Sequence, residues 1–105
     1  MEKRDSYIIK ATGQIVPVAP KNGESFTMNE VEELIDGSID VVYDNGEECM
    51  LYDKEHFEKL LRLNSYASEL ATENSDDDLL ILGDVLVCKS WMAKDIVAVL
   101  QPAEA

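Results

Sequence analysis

The chain has 105 residues and a formal net charge of −13, from nine basic and 22 acidic side chains. A chain of this length buries about 60–70% of its unfolded surface, so we predict a single domain over residues 1–105. Strong negative charge repels phosphates, which disfavours direct binding to DNA or RNA. No apolar run approaches the roughly 20 residues that span a bilayer, and no signal peptide is expected.

The first elements are predicted to be two short strands. The stretch "SYIIKATGQIVPVAP" places β-branched and aromatic residues on both sides of Thr12-Gly13, a turn signal. Pro17 and Pro20 each lack a backbone donor, which confines the second strand to a sheet edge or ends it early.

The segment "FTMNEVEELIDG" carries the clearest helix signals in the chain. Thr27 and Glu30 have the spacing of a capping box, in which each side chain accepts a hydrogen bond from the other residue's backbone N–H. Val31 and Ile35 lie on one face of the predicted helix, and Gly37 supplies its C-terminal stop.

Two extended runs around Asn45-Gly46 predict a β-hairpin, because this dipeptide tolerates the positive φ angles of a tight turn. A two-residue loop would place Val41 and Tyr43 on the same sheet face. It would also set Asp44 opposite Glu47, a like-charge pair that costs up to about 1 kcal/mol. A longer, bulged loop would relieve that repulsion, and the sequence leaves the choice open.

The segment after the hairpin predicts two helices. Phe57, Leu60 and Leu61 have helical spacing after Asp53, which predicts a helix over 53–63. A second helix follows with Asn64 as its N-cap. One face of this second helix carries Tyr66, Ala67, Leu70 and Ala71.

The C-terminal third is predicted as a strand followed by a helix. "LLILGDVLVCKS" is the most strand-like core segment, interrupted at Gly83-Asp84 by a turn or bulge. The tail is predicted to be helical from about Ser90 to Leu100, before Pro102. Together the elements predict an α+β fold, with a small mixed or antiparallel sheet of about five strands and helices packed on one face.

Several ordered stretches resemble a family of small proteins, domain of unknown function 3846. They are "F-T-x-x-E-x-x-E-L-I-D-G-S-I-D" (26–40), a hairpin, "YDKE" (52–55), "LNSYASEL" (63–70) and "ILGDVLV" (81–87). The shared positions are Gly37, Ile39, Asp40, Glu55, Asn64, Ala67, Gly83, Asp84 and Val85. The family occurs in gut bacteria, bacteriophages and conjugative elements and has no established activity. The resemblance therefore implies a bacterial or mobile-element origin and no particular chemistry.

The likeness covers residues 7–88 and leaves 89–105 as a C-terminal helical extension, which includes Trp91. Family members carry glycines and a proline between the positions of Glu55 and Asn64, which make that segment a loop. This chain has neither residue type there. Either the protein converts the loop into a helix, or the helical periodicity of 53–63 misleads.

The thiols and the single histidine form no recognisable site in the sequence. Cys49 and Cys88 lie in apolar, strand-like runs, which favours buried free thiols in a reducing, cytoplasmic compartment over a disulfide. A zinc site built on His56 would lack its third and fourth ligands. The acidic loops lack the ligand spacing of a calcium-binding loop. We predict no metal, no cofactor and no catalytic residues.

Almost all of the negative charge lies in the middle of the chain. Residues 26–84 hold three basic and seventeen acidic side chains, a balance of −14, whereas residues 1–25 sum to +1 and residues 85–105 to 0. Such a field favours a partner with a basic surface. The leading hypothesis is a non-enzymatic accessory protein whose acidic surface docks a protein partner. DNA mimicry is its sharper form and requires carboxylates on one face at phosphate-like spacing.

Two alternatives stay open at this point, and the oligomeric state is unknown. One is a small-molecule-binding domain that sequesters a nucleotide signal near the hairpin and Asn64, and the other is an enzyme of unrecognised type. An anionic ligand would find few basic groups in the central region, only Lys54, Lys59 and Arg62. The candidate interaction residues are Asp40, Asp53, Glu55, Asn64 and Trp91. Asn64 is also explained as an N-cap, and Trp91 as a packing anchor.

Overall fold

One antiparallel sheet of five strands organises residues 5–75 and 77–100, the part of the chain that the computed structural model describes. The strand order is β2-β1-β5-β4-β3. In chain order the elements are β1 Ser6–Ile9, β2 Ile15–Pro17, α1 Met28–Ile35, β3 Ile39–Asp44, β4 Glu48–Asp53, α2 Ser65–Glu73, β5 Val85–Lys89, a 3-10 helix Ser90–Ala93 and α3 Lys94–Leu100. This architecture confirms the predicted α+β class.

The sheet carries a hydrophobic core on each of its faces. On the first face, β-strand residues such as Leu86 pack with α1, the 3-10 helix and α3. On the second face, Val85 and Val87 pack with Ala67 and Ala71 of α2. The helices thus cover both faces, which corrects the expectation that they share one. The physical reason is that β1, β4 and β5 are apolar on both sides, so a single layer of helices would leave one side in water.

The N-terminal hairpin and the C-terminal helix agree with their predictions. β2 contains Pro17, pairs only with β1 and lies at the edge of the sheet. The tail is helical over the described residues from Ser90 to Leu100, first as a 3-10 turn and then as α3. Pro102, the predicted end signal, lies outside the described residues.

The hairpin between β3 and β4 has a bulge and a longer loop than two residues. Val41 faces Leu51, whereas Tyr43 faces Met50 and Asp44 faces Cys49. The register shift places Val41 in the first core and Tyr43 in the second. The structure therefore has the longer, bulged hairpin and not the two-residue loop. Asp44 pairs with Cys49 and does not face an acidic residue.

Helix α1 begins as predicted and ends at Ile35, and the residue that stops it is Asp36 instead of the predicted Gly37. The Thr27 hydroxyl accepts the Glu30 N–H at 3.2 Å, and Glu30 accepts the Thr27 N–H at 3.0 Å. Glu30 also accepts the N–H of Lys21 at 2.7 Å, which fixes the preceding loop. These bonds lower the pKa of Glu30. At the other end, Asp36 is the left-handed C-cap, with φ of 64°.

Of the two alternatives for residues 53–63, the structure has the loop, because residues 54–60 form successive turns. Leu60 adopts a φ of 54°, which a right-handed helix does not allow. The Leu61 N–H reaches back to the carbonyl of His56, and the Leu60 N–H to that of Phe57. The segment is therefore a loop, and two of its regularly spaced apolar residues, Phe57 and Leu60, are exposed.

Candidate functional site

A cleft of about 530 Å³ lies at the end of the sheet where β4 ends. Four parts of the chain line it: the turn after β1, the C-terminus of α1, the loop after β4 and the residues before β5. The lining residues are Ala11, Thr12, Ile35, Asp36, Asp53, Lys59, Leu61, Arg62, Gly83 and Asp84. Its volume falls within the roughly 300–1,000 Å³ of small-ligand sites.

Asp53 is the buried centre of this cleft, with 1% of its surface exposed. One carboxylate oxygen accepts the Glu55 N–H at 2.9 Å, and the other lies 2.7 Å from Lys59 Nζ. Lys59 also donates to the carbonyl of Asp36 at 3.2 Å, at the C-terminus of α1. The hydrogen bond to Asp53 raises the pKa of Lys59. Asp53 thus ties the loop to α1, and Glu55 contributes its backbone to this arrangement.

The charges that line the cleft are nearly balanced. Asp84 accepts the Ala11 N–H at 2.9 Å and lies 3.4 Å from Lys10 Nζ. Because Lys59 is committed to Asp53, Arg62 is the lining cation left for a ligand, and two further lining carboxylates, those of Asp36 and Asp84, oppose it. The arrangement is therefore poorly suited to an anion.

Asn64 is buried, and its side chain bonds to the protein's own backbone. Its Nδ2 donates to the carbonyls of Ile9 and Gly83 at 2.9 and 2.8 Å, and its Oδ1 accepts the Ala67 N–H at 3.0 Å. Both amide hydrogens are used in these bonds. Asn64 thus caps α2 and joins it to β1 and the start of β5, as the N-cap interpretation predicts.

Asp40 lies on β3, the edge strand opposite β2, and its side chain is half-buried. Its carboxylate accepts the N–H of Val41 at 2.8 Å. Asp40 faces Tyr52 across the hairpin, and burial, with a smaller effect of the Asp40 charge, raises the pKa of Tyr52. Asp40 therefore satisfies a backbone donor on an edge strand, where free donors invite pairing with other chains.

Trp91 lies at the opposite end of the molecule from Asp53, beside the β3–β4 turn. It is 58% exposed and lines a shallow groove of about 460 Å³ with Asp44, Gly46, Ser90, Lys94, Val97 and Ala98. Ser90 donates to Asp44 at 2.6 Å and holds the 3-10 helix against the hairpin turn. The five candidate residues therefore do not form one site: Asp53 and Glu55 lie together, and Trp91 lies apart from them.

His56 and the two thiols occupy separate, buried positions. His56 Nδ1 accepts the Leu82 N–H at 2.9 Å. Cys49 and Cys88 are free, face each other across β4 and β5, and have their sulfurs 3.7 Å apart. The hydrogen bond between the thiols, together with burial, raises the pKa of Cys88. Over residues 5–75 and 77–100, His, Cys, Asp and Glu form no group of three or more that suits a metal ion.

The outer side of α2 carries a groove whose charged lining residues are all acidic. It has a volume of about 510 Å³ and is lined by Ser68, Glu69, Thr72, Glu73, Asp78 and Leu79. The Ser68 hydroxyl accepts the Ile81 N–H at 2.8 Å, and the Thr72 hydroxyl accepts the Leu79 N–H at 2.9 Å. These bonds fix residues 79–81 along the flank of α2. We call this site the α2 groove.

Sequence reasoning did not select the residues of the α2 groove as candidates. The sequence does contain an indication of this site, because residues 63–88 hold six acidic and no basic side chains. Its acidic wall residues, Glu69, Glu73 and Asp78, are exposed and form no ion pair within the described residues. Asp76, which belongs to the same acidic run, lies outside them.

Comparisons with known proteins did not identify a relative of this chain. No protein-family model matches the chain, and no match was found among curated proteins or solved structures. The resemblance to domain of unknown function 3846 stays a prediction. None of the described helices has the length and apolarity required to cross a membrane.

Proposed function

We propose that this protein is a non-enzymatic accessory protein that docks a basic segment of a partner protein on the α2 groove. The observation that carries the proposal is three exposed carboxylates around one groove, with no lysine or arginine in residues 63–88. A field of one sign attracts a partner of opposite charge and speeds its association. The Ser68 and Thr72 hydroxyls accept backbone N–H groups of residues 79–81 and hold one wall of the groove in place, so little ordering is needed on binding.

DNA mimicry forms no part of this proposal. α1 packs on the first face of the sheet and directs Glu33 outward, whereas α2 packs on the second face and directs Glu69 and Glu73 outward. Glu33 is also paired with Lys21, with 3.6 Å between the charged atoms. The carboxylates thus lie on opposite sides of the molecule, and a surface that imitates a phosphate backbone requires them on one side.

The cleft around Asp53 supports a small-molecule function less well. Its volume is suitable, and Lys59 and Arg62 are two of the three basic residues in positions 26–84. However, Lys59 is held by the buried carboxylate of Asp53. The contacts of this cleft are those of a structural junction between α1 and the loop after β4.

Charge-neutralising variants test the proposed docking site. The variant Glu69→Gln/Glu73→Gln/Asp78→Asn removes the three carboxylates of the groove. A lysine-rich peptide should bind it about tenfold more weakly than the wild type, since three exposed ion pairs at about 0.2–1 kcal/mol each sum to roughly 1.5 kcal/mol. Affinity is measured by isothermal titration calorimetry at about 0.1 M salt, where the screening length is roughly 10 Å.

The matched control is Glu24→Gln/Glu32→Gln/Glu33→Gln, which changes the net charge equally on the α1 side. We expect it to weaken binding less than about twofold, because long-range attraction is screened beyond roughly 10 Å. Equal losses in the two variants would mean that net charge alone attracts the peptide. That result would refute the α2 groove as the docking site.

A further inference from the structure

Exposed apolar side chains adjoin the α2 groove along one of its flanks. Leu80 follows the groove residue Leu79 and is 56% exposed, and Leu63 is 46% exposed. Leu63 pairs with Leu82 in an isolated antiparallel bridge. The Asn64 N–H donates to the Ile81 carbonyl, and the Gly83 N–H to the Arg62 carbonyl. Residues 62–64 and 81–83 thus form a short ribbon that carries Leu63 and Leu82 beside α2, and Leu80 comes directly before its second arm.

The loop after β4 extends this apolar surface. Phe57 is 53% exposed, and its ring centroid lies 4.4 Å from that of His56, which accepts the Leu82 N–H. We call Phe57, Leu63 and Leu80 the apolar ridge.

We propose that the partner segment is an amphipathic helix with a basic side, whose apolar residues rest on the ridge while its lysines or arginines reach the α2 groove. This inference rests on the proposed function. It adds that the docked segment is helical and has its apolar residues on one side. The positive charge of the segment follows from the acidic wall formed by Glu69, Glu73 and Asp78.

A helix suits this surface better than an extended segment does. An extended strand turns successive side chains to opposite faces, so half of its residues would point away from the protein. An amphipathic helix presents an apolar stripe with charged residues directly beside it. That arrangement matches a ridge and an acidic groove that lie side by side, and the docking of an apolar helical face on a hydrophobic surface is a recurrent mode of peptide recognition.

Two peptides with the same lysine and leucine composition test this inference. One is patterned as an amphipathic helix of roughly five turns, and the other has the same residues in an order with no apolar stripe. By isothermal titration calorimetry, the wild type should bind the patterned peptide about tenfold more tightly. The variant Leu63→Ser/Leu80→Ser should lose that preference and bind the reordered peptide as the wild type does.

The control variant is Ile15→Ser/Val99→Ser, which removes exposed apolar residues from β2 and α3 and should keep the preference. A thermal melt verifies that each variant is folded, and Leu80→Ser alone replaces the double variant if that variant unfolds. If both peptides bind equally and both depend on Glu69, Glu73 and Asp78, the amphipathic helix is refuted and the docking proposal stands. If neither peptide depends on these carboxylates, the docking proposal itself fails.

Discussion

His56 shows how a single buried side chain ties the loop after β4 to the rest of the fold. Its Nδ1 accepts the Leu82 N–H, so this nitrogen carries no proton in the folded protein. Burial lowers the pKa of His56, against the opposing effect of the Asp53 charge. The imidazole is therefore neutral and structural at pH 7.

The protonation of His56 is directly measurable because the chain has one histidine. An NMR titration should give a midpoint below the ordinary value of about 6.5. His56 binds a proton more readily in the unfolded chain than in the folded protein. Its contribution to stability is therefore present above pH 6.5 and declines as the pH falls below that value. A midpoint at or above 6.5 would contradict a neutral, buried imidazole.

At the scale of elements, the junction between α1 and the loop after β4 depends on Gly37. The left-handed position after α1 is taken by Asp36, so Gly37 serves a different purpose from the predicted helix stop. A Cβ at Gly37 would meet the carboxylate of Asp53 and lie 2.7 Å from Lys59 Nζ. The absent side chain leaves room for the buried carboxylate and its lysine.

The substitution Gly37→Ala should therefore destabilise the protein. We expect a loss of about 1–3 kcal/mol in the free energy of unfolding, the usual range for forced overpacking. Urea denaturation measures it, with Ser38→Ala at the exposed neighbouring position as the control. An unchanged midpoint for Gly37→Ala would show that the Asp53 junction tolerates displacement.

Local signals predicted some elements well, and long-range contacts decided the others. The capping box of Thr27 and Glu30 and the N-cap Asn64 are fixed within a few residues of sequence, so the sequence sufficed for them. The helical spacing of residues 53–63 misled, because Leu60 has a positive φ and both Phe57 and Leu60 are exposed, so the spacing marks no buried helix face. The bulge near Val42 was left open, since it depends on the register with β4.

At the scale of the whole molecule, a sheet that is apolar on both faces separates the surface features. α1 and α3 cover the first face and α2 covers the second. The Asp53 cleft and the Trp91 groove lie at opposite ends of β4. The sequence predicted an acidic surface from residues 26–84 but not which of its carboxylates lie together, because that depends on the packing of α2 on the second face.

The central claim is that the α2 groove is the docking site for a basic segment. NMR spectra of the ¹⁵N-labelled protein, recorded as the patterned lysine–leucine peptide is added, test it most directly. We predict that the largest amide shift changes fall on residues 63–73 and 77–80, around Glu69, Glu73 and Asp78. Changes centred on α1 or on Trp91, or small changes spread evenly over the chain, would contradict it.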